Sequence, residues 1–210
     1  MKPKRISKDD YYLGIAKEVA RRTSCFRRSI GALIVRDDQI ISTGYGGTPR
    51  KTKDCYQHGV CLRDKLNIPH GERYELCRSV HAEQNAIINA ARAGVSLLGG
   101  DMYLYGSNYG KKEPVNAFPC FICKKMIINA GINRVICSTA DHQYQIFRVE
   151  DWVKDWQESD IIDDKHQYGL ENEGCPVLSI TPCSIGALLF CPTTRNPSSD
   201  RDKPSQIAAN

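Results

Sequence analysis

The sequence predicts an α/β protein in which a central sheet carries helices on its faces. Two observations support this. Residues 8–22, 81–94 and 120–131 read as helices, whereas SIGALIV, QIISTGY, DMYLYG and INRVICST are short strand-like runs rich in β-branched and aromatic residues. The resulting order, α-β-β-α-β-α-β, alternates helices with strands as a layered sheet requires. A chain of 210 residues, 41% hydrophobic and 25% charged, can bury one sizeable core without disulfides.

Taken in order, Ser7 can cap a helix over residues 8–22, with Tyr12, Ile15, Ala16 and Val19 on one face. The two strands that follow flank Asp37-Asp38 and read as a hairpin. Residues 46–79 show little periodicity and are rich in Gly, Pro, Lys, Cys and His. A loop of that length is usually functional or held by something. HAEQNAIINAARAG reads as a helix stopped by Gly94, DMYLYG as a strand and residues 107–118 as a polar loop. CFICKKMIINAG reads as a helix between Pro119 and Gly131. INRVICST is the next strand, and residues 149–158 form a short acidic helix with Trp152 and Trp156. The domain is expected to span residues 1–170. Residues 171–210 form a C-terminal extension whose end, PTTRNPSSDRDKPSQIAAN, has the composition of a disordered tail.

No apolar run is long enough to span a bilayer, and the basic N-terminus lacks the apolar stretch of a secretory signal. The cytoplasm is therefore the expected compartment, where ten cysteines read as metal ligands or buried thiols rather than disulfides. The net charge of +5 is uneven: residues 1–28 hold nine Lys or Arg against three acids. Such a face suits phosphorylated substrates, although a solvated helix surface explains most of these charges.

Two pairs of residues carry the chemistry. His81 and Glu83 lie two apart, and Cys120 and Cys123 three apart, each pair where a helix begins. Zinc takes imidazole nitrogen and thiolate in a tetrahedral site, and a catalytic zinc keeps one position for water. His81, Cys120 and Cys123 supply three ligands, and a helix N-terminus favours thiolate. Glu83 is left over as a general acid–base beside that water. Zinc lowers the water's pKa from about 15.7 to about 7, on the order of 12 kcal/mol toward hydroxide.

His81-Ala82-Glu83 followed by Pro119-Cys120-Phe121-Ile122-Cys123 has the pattern of the zinc nucleobase deaminases. Residues 8–157 resemble the deoxycytidylate deaminase family through IGALIV, IISTGYGGTP, HAEQNAI, FPCFICKKMIINAGI and RVI. The resemblance implies a three-layer α/β/α cytidine deaminase-like fold with a central mixed sheet, and hydrolysis of dCMP to dUMP and ammonia. It implies Glu83 protonating ring N3 and then the amine, Ala32 backbone against the base, and Arg27 on the phosphate. Tyr45 and Gly47 would lie in a nucleotide-contacting loop. It also implies dCTP and dTTP as effectors and a homo-oligomer, a hexamer by analogy. Gly46 stands where the family usually has Asn, which removes a donor and an acceptor from that loop. The polar insert over residues 106–118 is longer than usual.

Cys25, Cys55, Cys61 and Cys77 lie outside the motif, three of them in the aperiodic segment. A second, structural zinc would restrain that segment. Some deoxycytidylate deaminases resemble this at positions matching Cys25 and Cys55, and His58 and His70 are rival ligands. Cys137, Cys175, Cys183 and Cys191 look incidental. The competing readings are a deaminase of another cytosine nucleotide or of tRNA adenosine, and a zinc-stabilised binding module without catalysis.

Overall fold

The computed structural model describes residues 5–158, so the expected extension over 171–210 and its cysteines lie outside the described residues. Ser7 caps α1 (Lys8–Ala20), its hydroxyl accepting from Asp10 N–H at 3.0 Å. β1 (Arg28–Arg36) and β2 (Gln39–Tyr45) form the expected hairpin. Asp37 and Asp38 turn it with φ of 52° and 64°, the left-handed pair that matches strand twist.

Within the aperiodic segment lie two single-turn helices, α2 (Cys55–His58) and α3 (Leu62–Lys65), and a 3₁₀ turn at Tyr74–Leu76. Elements this short leave no periodicity to read. There follow α4 (Ala82–Ala93), β3 (Asp101–Asn108), α5 (Phe121–Asn129), β4 (Arg134–Ser138), β5 (Tyr144–Arg148) and α6 (Val149–Glu158). The sequence reading has no counterpart to β5, whose residues are almost all exposed.

The sheet runs β2-β1-β3-β4-β5 and is mixed, with only β3 and β4 parallel. Tyr12, Leu13 and Ala16 of α1 pack on one face against Leu33, Val35, Tyr103 and Ile136. On the other face, α4, α5 and α6 set Ala82, Ala86, Ile127 and Trp152 against Ile34, Leu104 and Val135. These three layers are the expected architecture. Ile15 and Val19 are only partly buried, and Leu13 and Ala20 complete the inner stripe of α1.

Close approach at two glycines seats the helices. A Cβ on Gly44 would lie 2.2 Å from Ala82 O and 2.3 Å from Ala86 N of α4. Gly31 meets α1 in the same way, with Ala16 O at 2.3 Å. Polar bonds lock α4 in that seat: Ser42 Oγ donates to Ala86 O at 2.8 Å, and Asn89 Nδ2 donates to Thr43 O at 2.7 Å. Gly44→Ala should therefore destabilise the protein by about 1–3 kcal/mol, the usual cost of overpacking. Gly14→Ala, where nothing lies within 4 Å, should stabilise by about 0.5–1 kcal/mol. Thermal unfolding of the two variants checks this, and an unshifted Tm for Gly44→Ala would contradict it.

Candidate active site

α4 and α5 both begin at the site. His81 is the N-cap residue of α4 and Cys120 that of α5, one step before the helix rather than inside it. The approach to α4 is fixed by Gly47 and Val80, whose backbones exchange hydrogen bonds of 2.8 and 3.2 Å. His81 N–H then donates to Gln84 Oε1 at 3.1 Å, which satisfies the cap. Pro119, just before that N-cap, is fully buried.

His81, Cys120 and Cys123 present three donor atoms within 4.8 Å of one another, the only such cluster among the described residues. Both Sγ atoms lie 3.4 Å from His81 Nδ1. Tetrahedral bonds of about 2.3 Å to sulfur and 2.05 Å to nitrogen would set these atoms roughly 3.5 Å apart, so the donors fit zinc in spacing and in kind.

The three donors differ in how firmly they hold a proton. A hydrogen bond from Cys123, opposed by burial and helped by His81, lowers the Cys120 thiol well below its ordinary range. The same bond and burial hold the Cys123 proton firmly. Burial works against a charged His81, but its contact with Cys120 and the nearby Glu83 outweigh this and raise it. Glu83, only 5% exposed, is raised by burial.

His81, Glu83 and Cys120 sit in the wall of a cavity of about 800 Å³. Among the described residues Glu83 is the one carboxylate lining it, against Arg27, Arg28, Arg63, Arg78 and Lys124. On one side Phe147 stands edge-on to Phe118 at 5.2 Å and 5.9 Å from Trp152. On the other, the Tyr74 ring meets His81 edge-on at 4.8 Å.

The expected substrate contacts fall out unevenly. Arg27 lines the cavity, but its side chain is 8% exposed and pinned: Nε donates to Asp64 at 2.6 Å, Nη1 to Pro69 O at 3.2 Å and Nη2 to Ile68 O at 2.5 Å. It fastens the aperiodic segment to β1. Ala32 is buried in the core, Tyr45 is partly exposed with its carbonyl accepting from Asn85, and Gly47 pairs with Val80. None of these three lines the cavity.

Cys25, Cys55, Cys61 and Cys77 all line the cavity, but their sulfurs are not gathered as tightly as the first cluster. Cys137 is a fully buried core thiol. Sequence reasoning missed Arg63, Arg78 and Tyr74. The unusual composition of residues 46–79 was the available signal, but no spacing rule selects single residues from it.

Residues 6–139 match the family described as the cytidine and deoxycytidylate deaminase zinc-binding region. A deoxycytidylate deaminase of Schizosaccharomyces pombe is 33% identical over 136 residues, 65% of this chain and 38% of that protein. One from Mycobacterium phage D29 is 33% identical over 133 residues, 61% of this chain and 91% of that protein. The chain thus spans about two fifths of the yeast relative's length and most of the phage relative's. A dCMP deaminase structure from cyanophage S-TIM5 is 25% identical over 64% of this chain and 82% of its own, with a TM-score of 0.45. With the His-x-Glu and Pro-Cys-x-x-Cys residues gathered at two helix starts, the chain belongs to the cytidine and deoxycytidylate deaminase zinc-binding family.

Proposed function

We propose that this chain is a zinc-dependent hydrolytic deaminase that converts dCMP and water to dUMP and ammonia. The observation that carries this reading is the buried Glu83 beside a three-donor metal cluster, in a cavity whose other charged lining residues, among those described, are Arg and Lys. A cavity of that sign draws in an anionic substrate. The deoxycytidylate deaminases it resembles support the same substrate.

His81, Cys120 and Cys123 would hold the zinc, which supplies a Lewis acid that brings the pKa of water from about 15.7 to about 7. The remaining work falls to the protein. The Phe118–Phe147–Trp152 wall offers the pyrimidine ring an aromatic, apolar surface. Glu83 takes one proton from the attacking water and gives it to ring N3 as the C4–O bond forms. It then takes the second proton from the new C4 hydroxyl and gives it to the amine, so that the C4–N bond breaks as the C4=O double bond forms and ammonia leaves. Burial suits Glu83 to this work, because a carboxyl raised above its ordinary value takes a proton from water more readily.

We also propose a second, structural zinc on Cys25, Cys55, Cys61 and Cys77, with His58 and His70 as rival ligands. Supporting it, the four cysteines line one cavity, and Arg27 N–H donates to Cys25 Sγ at 3.4 Å. We further propose a cytoplasmic homo-oligomer, a hexamer by resemblance, with dCTP and dTTP as effectors. The described cysteines are all free thiols, which suits a reducing compartment. No described helix is long and apolar enough to cross a membrane.

Glu83→Gln should keep its zinc while losing about 10²–10⁴-fold in turnover, measured as ammonia release from dCMP, cytidine, dCTP and a tRNA anticodon stem. Retained turnover would remove the role of Glu83, and ammonia from the tRNA stem alone would replace the substrate. Loading the first cluster must displace the protons that His81 and Cys123 hold, so zinc affinity should weaken as pH falls. Calorimetry across pH tests the sign. Elemental analysis should find two zinc ions per chain, falling to one in Cys61→Ser, and a wild-type count of one would remove the second site.

A further inference from the structure

Arg63 is the least ordinary residue of the cavity. It sits on α3, in the segment the sequence left unread, and is 5% exposed. Its Nη2 donates to Pro69 O at 2.9 Å, but Nε is buried without a hydrogen-bond partner among the described residues. An always-charged guanidinium is costly to bury with a donor unmet. Its position is nonetheless held: the guanidinium lies 4.8 Å above the Tyr74 ring, and the same ring touches His81 at 4.8 Å. One tyrosine therefore spaces Arg63 from the metal donors.

We propose that Arg63 is the specificity-determining anion contact of this site, its free Nε edge receiving the 5′-phosphate of a cytosine mononucleotide while the base reaches Glu83. This rests on the deaminase reading above and moves the phosphate from Arg27, whose Nε, Nη1 and Nη2 each already make a hydrogen bond, to a residue whose Nε makes none among the described residues. Nε and an adjacent Nη form the paired edge that guanidinium offers to phosphate oxygens. Arg28 lines the cavity nearby and has no ion pair among the described residues, which leaves it able to add charge at the same end. His70 is lowered by burial and by Arg27, Arg28 and Arg63, which places these guanidiniums within electrostatic reach of the same point. The arrangement selects a nucleotide over a nucleoside, because only the phosphate satisfies the buried donor.

The test is calorimetric binding of dUMP and of deoxyuridine to the zinc-loaded wild type, Arg63→Gln and Arg63→Lys, with deamination of dCMP and deoxycytidine measured alongside. Wild type should bind dUMP at least about tenfold more tightly than deoxyuridine, and Arg63→Gln should reduce that preference about 10–100-fold. Arg63→Lys, which keeps the charge and loses the paired edge, should fall between them and serves as the readout if the glutamine variant does not fold. Equal wild-type affinities for the two ligands, or a preference unchanged in a folded variant, overturn the assignment. A wild type that prefers dUMP through Arg63 yet deaminates neither substrate supports this subsite and removes the deaminase reading.

Discussion

The seating of α4 on β2 at Gly44 governs the geometry of the site. Ala82 O and Ala86 N come so close to the strand that no side chain fits between. That contact fixes the first turn of α4 against the sheet, and with it His81 and Glu83. The parallel pairing of β3 and β4 does the corresponding work for α5. The chain must cross over between parallel strands, and the crossover delivers Cys120 and Cys123 to the same end as His81. Two helix N-termini then face one point, where their backbone dipoles favour thiolate.

That meeting point is also where burial and charge are set against each other. Glu83 is buried in the wall, which raises its carboxyl, while its neighbours are the histidine and two cysteines of the metal cluster. The other charged side chains of the cavity carry the opposite sign, five Arg and Lys with no other acid among the described residues. A site of this kind divides naturally into an end that moves a proton and an end that holds an anion. Tyr74 stands between the two, touching His81 on one side and Arg63 on the other.

Much of this was legible in the sequence because it is local. The His81-Ala82-Glu83 and Pro119-Cys120-x-x-Cys123 spacings, the stop at Gly94 and the turn at Asp37-Asp38 each follow from residues a few positions apart. What was not legible is set by distant partners. Arg27 reaches Asp64, Ile68 and Pro69 across 37 to 42 positions, and such bonds order residues 46–79 without any pattern within them. The same bonds use three of the five N–H donors of Arg27, partners that its alignment with a phosphate contact could not reveal. β5 escaped for a simpler reason: an edge strand exposed on both faces has no alternation to detect.

The central claim is that two helix starts hold one zinc ion with a coordination position left open beside Glu83. Anomalous diffraction from crystals of the zinc-loaded protein, at the zinc edge, tests this most directly. The account predicts a peak bonded to His81 Nδ1, Cys120 Sγ and Cys123 Sγ, with no fourth protein atom bound to it. The absence of a peak there, or a fourth protein ligand closing the site, would contradict it.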